Sequence, residues 1–172
     1  MSGYRIRLAR SEDAGAFHRV EEDAAGLLRE EASLAGTVIA PAMAAADHAR
    51  IIAKGRSLAA LHEDRIVGFA AIRTAGRELH LAELSVARAH QRRGIGSLLV
   101  RAVMIDAHNS GYRAITLNTY RDIPWNAPFY ARLGFVEIEN FEGRAHLAQS
   151  RQGATLRGLP LARRCAMIRF LY

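Results

Sequence analysis

The spacing of apolar and polar residues divides the chain into alternating strands and helices. Tyr4 to Arg10 reads Tyr-Arg-Ile-Arg-Leu-Ala-Arg, the two-residue alternation of a half-buried strand. Ser11 stands where an N-cap belongs, Glu12 and Asp13 suit a first helical turn, and helical composition continues to Arg29. Ala32 to Pro41, rich in small residues, predicts a loop, and Met43 to Ala53 a second helix. Ser57 to Leu61 and Ile66 to Arg73 read as strands around a Glu63-Asp64 hairpin turn; Glu78 to Ala87 makes a third strand after Ala75-Gly76. Ile95, Leu98, Leu99, Ala102 and Val103 lie at helical spacing, so Gly94 to Asn109 is the clearest helix, with Gly111 suited to its end. Arg113 to Asn118 is extended, Phe129 to Leu133 is a short helix stopped by Gly134, and Phe135 to Phe141 is a strand. Gly143 to Pro160 reads as an irregular loop and Cys165 to Tyr172 as a terminal strand. The resulting order, β-α-α-β-β-β-α-β-α-β-loop-β, predicts a mixed α/β fold with an antiparallel front half, in one domain over residues 1–172.

Composition narrows the class. Half of the 172 residues are apolar, enough for one sizeable core. No run approaches the roughly 18 apolar residues of a membrane span, and Met1 to Arg10 is unlike a secretory leader. One cysteine, Cys165, rules out an internal disulfide and a cysteine-rich zinc site, and it reads as a small buried apolar residue. His62, His80 and His90 lack paired metal-ligand spacing and read as surface or locally hydrogen-bonded side chains, so no metal is expected. A cytoplasmic protein with no membrane partner is the expectation.

The net charge of +7 comes almost wholly from arginine, since Lys54 is the only lysine. A nucleic-acid binder concentrates such charge on one helix or tail. Here the arginines run from Arg5 to Arg169, with doublets only at Arg92-Arg93 and Arg163-Arg164. A small anionic ligand is the plainer expectation than RNA or DNA.

The segment Glu78 to Ser110 says where that anion would sit. A strand ends near Ala87, a short basic turn follows, and two glycines open the strongest helix. The first N–H groups of a helix have no intrahelical partner and carry partial positive charge. Gly94 and Gly96 admit close approach, and Arg92 and Arg93 add formal charge, which makes a phosphate or pyrophosphate site. The Gly-Lys-Ser/Thr of a nucleoside-triphosphate loop and the three-glycine dinucleotide fingerprint are both missing.

Gln91-Arg92-Arg93-Gly94-Ile95-Gly96 instead resembles the Q/R-x-x-G-x-G/A signature of GNAT acetyltransferases. The likeness extends through "ELSVARAHQRRGIGSLLVRAV", reappears at "PFYARLGF" and, more loosely, covers "IRLARSEDAGAF", so it spans Tyr4 to Phe141. It implies the GNAT acyl-CoA N-acyltransferase fold, a mostly antiparallel sheet flanked by helices, and acetyl-CoA as cosubstrate without a metal. It implies that Gln91, Arg92, Arg93, Gly94, Ile95, Gly96 and Ser97 hold the coenzyme pyrophosphate. Ser85 and Val86 would line the pantetheine through their main chain, with an N–H near Val86 facing the acetyl carbonyl. Tyr130 matches the family tyrosine that protonates the leaving thiolate.

Glu83 is the candidate general base: it alternates with Leu79 and Leu81 on an apolar face, where a lone carboxylate is costly, though a solvent-facing strand glutamate is the competing reading. Glu21 and Glu22 either reach the acceptor side or form a solvated helix face. The family asparagine seven residues before the tyrosine is replaced by Ile123, and Asn126 either contacts the pantetheine or caps the helix that follows. The acceptor would be a primary amine of a small molecule or peptide, attacked directly without an acyl-cysteine. The competing class is a GNAT-like module that binds CoA or RNA without catalysis. The basic loop and the C-terminal strand could support a homodimer.

Overall fold

A computed structural model describes residues 3–172. Its elements are β1 (Tyr4–Leu8), α1 (Ala14–Glu30), α2 (Ala45–Ile52), β2 (Leu58–His62), β3 (Arg65–Ala75), β4 (Glu78–Val86), α3 (Ile95–Asn109), β5 (Ala114–Tyr120), α4 (Ala127–Arg132), β6 (Val136–Ile138), α5 (Ala145–Leu156) and β7 (Arg164–Phe170). The strands form a seven-stranded sheet in the order β1-β2-β3-β4-β5-β7-β6. The chain divides into two compact units: one comprises the chain up to Ala35, Pro41–Arg73 and Leu81–Asp106, the other Gly36–Ala40, Thr74–His80 and Ala107–Tyr172.

In the first unit β1 pairs antiparallel with β2, Tyr4 opposite His62 and Leu8 opposite Leu58, and β2 pairs antiparallel with β3. The β2–β3 turn is Glu63-Asp64 with φ of 47° and 62°, the pair of left-handed residues whose twist matches a hairpin. The register then skips a residue: Leu61 faces Ile66 while Ala60 faces Gly68, so Val67 is a bulge. Bulges turn a backbone group out of the ladder, and here the Val67 carbonyl accepts the Ala87 N–H at 2.8 Å. Over these strands pack α1 and α2, with Phe17, Val20, Ile51 and Ile52 against Ala59, Leu61, Phe69 and Ala71. Phe17 and Phe69 stack with centroids 4.2 Å apart.

The start of α1 departs from expectation. A single 3-10 turn, Ser11–Asp13, precedes it, and Asp13 rather than Ser11 organises the entry. The Asp13 carboxylate accepts the Arg10 N–H at 2.7 Å and N–H groups of Arg7 Nη1 and Nη2 at 2.7 and 3.0 Å. A carboxylate held bidentate by arginine outcompetes a serine hydroxyl for that place.

In the second unit β7 lies antiparallel to both β5 and β6, burying Ile115, Leu117 and Ile168. β6 keeps only Val136–Ile138; beyond it Asn140 Oδ1 accepts the Glu142 N–H at 2.9 Å and turns the chain away. The stretch read as an irregular loop contains α5, which buries Leu147 and Ala154, seven residues apart and so on one face. Arg144, just before α5, grips the Glu78 carboxylate through Nε and NH2 at 2.8–3.1 Å. Thr116 is fully buried between two histidines, 2.9 Å from His80 Nδ1 and 2.9 Å from His146 Nε2.

Candidate active site

Val86 to Gly96 links β4 to α3 and is held by hydrogen bonds and by Ala87, which packs against the core. The Arg88 N–H donates to Asp23 Oδ2 on α1 at 2.7 Å, and the Arg88 guanidinium grips Glu30 at 3.0 and 2.7 Å. Gly26 makes room for that side chain, since a Cβ there would stand 3.0 Å from Arg88 NH1. The Gln91 side-chain amide donates to the Val86 carbonyl at 2.8 Å, closing the turn on itself. Gly68 lies beneath it: a Cβ at Gly68 would come 3.2 Å from the Ser85 carbonyl oxygen and 3.5 Å from Ile95 Cγ2. Gly68, Gly26, Asp23 and Glu30 belong to no motif in the sequence, and the one local signal is a glycine interrupting the apolar run of β3.

Within this loop Arg92 (φ 59°) and Gly94 (φ 80°) are left-handed. For arginine that conformation costs roughly 1–2 kcal/mol. The space a Cβ on Gly94 would occupy is open to 4 Å. The first α3 bond runs from the Leu98 N–H to the Gly94 carbonyl at 2.9 Å, so the amides of Ile95, Gly96 and Ser97 precede the ladder. Arg92 and Arg93 are exposed beside them. Left-handed residues, open space and leading amides together form a cradle suited to a phosphate.

On β4, Ser85 is buried and its hydroxyl donates to Glu83 Oε1 at 2.9 Å. Leu79 and Leu81 are buried, as is His80 between them, and Glu83 is half-buried like its neighbours Ala82 and Leu84. Glu83, Ser85, Val86 and Gln91 to Ser97 all belong to the first unit. Asn126 and Tyr130 belong to the second.

There, Asn126 Oδ1 accepts the Thr119 hydroxyl proton at 2.7 Å and its side chain does not cap α4, which removes the capping alternative. The helix starts instead on the Asn126 main-chain carbonyl, which takes the Tyr130 N–H at 3.1 Å. Tyr130 is 9% exposed, its ring edge-on to Phe129 and Phe135 at 5.0 and 5.7 Å. α4 ends with Phe135 N–H on the Tyr130 carbonyl and Gly134 N–H on the Ala131 carbonyl, at 3.1 and 3.0 Å. This is a Schellman cap, with Gly134 at φ 88° and the apolar contact that such caps carry between Tyr130 and Phe135.

Glu21 contradicts the solvated-face reading. It is 7% exposed, accepts the Met43 N–H at 2.9 Å and lies 2.8 Å from Nε2 of His48, a fully buried ring edge-on to Phe17 and Phe69. Glu22 is exposed and pairs with Arg29.

Residues 53–137 match the family model described as the acetyltransferase (GNAT) domain. This stretch belongs to the GNAT superfamily. Its fold is that of known acetyltransferases. Ard1 from Thermoplasma volcanium aligns at TM-score 0.67 and 18% identity, covering 99% of each chain. PaiA N-acetyltransferase from Thermoplasma acidophilum, solved with coenzyme A, aligns at 0.70 and 14%, again over 99% of each. N-acetylglutamate synthase from Neisseria gonorrhoeae, solved with coenzyme A and N-acetyl-glutamate, aligns at 0.72 and 16% over all of this chain and 36% of its own. The GNAT match takes in Glu83, the whole cradle and Tyr130, and stops before α5. No helix among the described residues is long and apolar enough to cross a membrane.

Cys165 is buried, and burial first, then the Glu137 charge, pushes its thiol up to about 11. A thiol held protonated is a poor nucleophile.

Proposed function

We propose that residues 1–172 form one cytoplasmic acetyl-CoA-dependent N-acetyltransferase domain acting on a primary amine of a small molecule or peptide. The observation that carries this reading is the cradle: left-handed Arg92 and Gly94, open space where a Cβ would stand, and three leading amides of α3 flanked by two arginines. These residues suit a pyrophosphate. Acetyl-CoA, when bound, supplies the activated acetyl group as a thioester.

The chain's own residues divide the rest. Gln91 to Ser97 would grip the pyrophosphate, and the main chain of Ser85 and Val86 would align the pantetheine, the Val86 N–H stabilising the negative charge that develops on the carbonyl oxygen. Asn126 would offer its amide nitrogen to the pantetheine, its oxygen being engaged by Thr119. Glu83 would take the proton that the amine loses as its nitrogen bonds the acetyl carbon. Tyr130 would give its phenolic proton to the departing sulfur as the carbon–sulfur bond breaks.

Two measurements test the proposal. Thermal denaturation with acetyl-CoA, CoA and ATP should show stabilisation by the first two alone; stabilisation by none of them removes the cofactor. A panel of amines scored by released CoA thiol should then give turnover with at least one class. A protein that binds CoA and acetylates nothing in a broad panel would be the non-catalytic binding module.

A further inference from the structure

Beside the cradle, joined to it through Arg93, lies a cluster of three rings that the acetyl-transfer scheme does not use. Tyr4 opens β1, His62 closes β2, and His90 and Arg93 come from the β4–α3 turn. The Tyr4 hydroxyl is 3.0 Å from His90 Nδ1 and accepts an N–H from Arg93 Nη1 at 3.3 Å. The three rings pack together: Tyr4 to His62 at 4.8 Å, His62 to His90 at 5.2 Å and Tyr4 to His90 at 5.8 Å between centroids.

Proton counting gives the cluster a direction. Arginine only donates, so the Tyr4 oxygen accepts from Arg93, and its own proton is available to His90 Nδ1 when that nitrogen is unprotonated. That arrangement needs a neutral His90 with its own proton on Nε2. The surroundings favour the neutral ring: burial, then His62 and Arg93, hold His90 below the ordinary histidine value. Arg93 in this chain uses one of its five N–H groups on Tyr4, which leaves the planar fork for an anion.

We propose that Tyr4 and His90 are positioning residues that hold the Arg93 guanidinium in place for a phosphate of coenzyme A. The chain is His90 to Tyr4 to Arg93, and neither Tyr4 nor His90 touches the ligand. A long arginine side chain loses rotamer freedom on gripping an anion, and an anchor that removes this freedom beforehand raises affinity without altering the chemical step. The inference rests on the reading of Gln91 to Ser97 as the coenzyme site.

The test is a double-mutant cycle on CoA affinity by isothermal titration calorimetry, with Y4F, R93Q and the pair. Y4F should weaken CoA binding about three- to tenfold, the loss of one ordinary hydrogen bond that acts on the ligand only through Arg93. In the R93Q background Y4F should do nothing further, because the anchor has lost what it holds. Turnover at saturating acetyl-CoA should stay at the wild-type value in Y4F while KM for acetyl-CoA rises. H90N, which keeps an acceptor near the Nδ1 position, should bind like wild type, and H90L should bind like Y4F. Arg93 is exposed, so R93Q tests the coupling even if a Tyr4 variant folds poorly, with H90L taking its place in the cycle. Affinity within twofold of wild type in both Y4F and H90L, or losses that multiply independently of R93Q, overturns the proposal. A wild-type protein that binds no CoA overturns the cofactor reading first and this one with it.

Discussion

The β4–α3 loop and the α4 cap carry the two motifs of this chain, and they are built in opposite ways. The loop is polar and held at its edges, by Asp23 and Glu30 on α1 and by the Gln91 amide on Val86. It keeps Arg92 in a conformation that arginine disfavours and leaves open space beside Gly94. The α4 element is apolar, with Tyr130 between two phenyl rings and its spacing set by a helix cap. A Tyr-x-x-x-Gly-Phe run is what a Schellman cap with its apolar contact requires, whatever the tyrosine hydroxyl does. Backbone strain around an open space has no such internal explanation. The proposed coenzyme role of the first motif therefore rests on its backbone geometry, whereas the spacing of the second is already required by folding, and the chemistry proposed for Tyr130 rests on its hydroxyl alone.

The sharpest way to break that contrast is Y130F. It keeps the ring contacts and removes the proton, so kcat should fall about a hundredfold with CoA affinity unchanged. Equal turnover in steady-state kinetics would leave Tyr130 as packing only.

Next come two glycine-to-alanine changes expected to separate stability from binding. G134A meets both a positive φ and Arg169, whose Cζ and Nε lie 3.0 Å from the new Cβ, and should cost about 2–3 kcal/mol in chemical denaturation with CoA affinity intact. G94A meets only the backbone penalty, about 1–2 kcal/mol, but its methyl enters the cradle and should weaken CoA. The reverse pattern would exchange the roles of the two motifs.

Acid pH gives a smaller effect. Burial is the largest cause holding His146 below the ordinary histidine value, with Glu78 opposing and Arg144 adding; His90 moves the same way. The unfolded chain then takes up protons first as pH falls below about 6.5, so stability should be full above that value and decline as the pH drops below it. H146Q, which keeps a donor or acceptor near Nε2 for Thr116, should flatten part of that decline in melting temperature. An unchanged slope would mean the histidine is not the source. Smallest is R88A: the Arg88–Glu30 pair is exposed, so stability should barely move, while the slackened loop should bind CoA about twofold more weakly by calorimetry.

How far the sequence reached follows the same division. The strand alternation in β1 and β4, the hairpin at Glu63-Asp64 and the apolar face of α3 are local periodicities, and each element appeared within a few residues of its expected bounds. The cradle was legible because its strand, turn and helix are contiguous. What failed was non-local. Glu21 looked like a surface glutamate because its partners, His48 and the Met43 amide, come more than twenty residues later from a different segment. Asp13 displaced Ser11 because Arg7 reaches it from β1. Helix α5 was hidden by Gly153 and a polar composition that buries only Leu147 and Ala154. Glu78, held by Arg144, is another such partner from far along the chain.

The buried Cys165 has a practical corollary. Its sulfur is enclosed and stays protonated far above neutral pH, so the folded protein should be silent toward thiol-reactive dyes. Any colour that develops in a disulfide-exchange assay then belongs to the coenzyme, and a slow rise without substrate reports the protein coming apart. The same residue serves as the blank and as a gauge of intact fold.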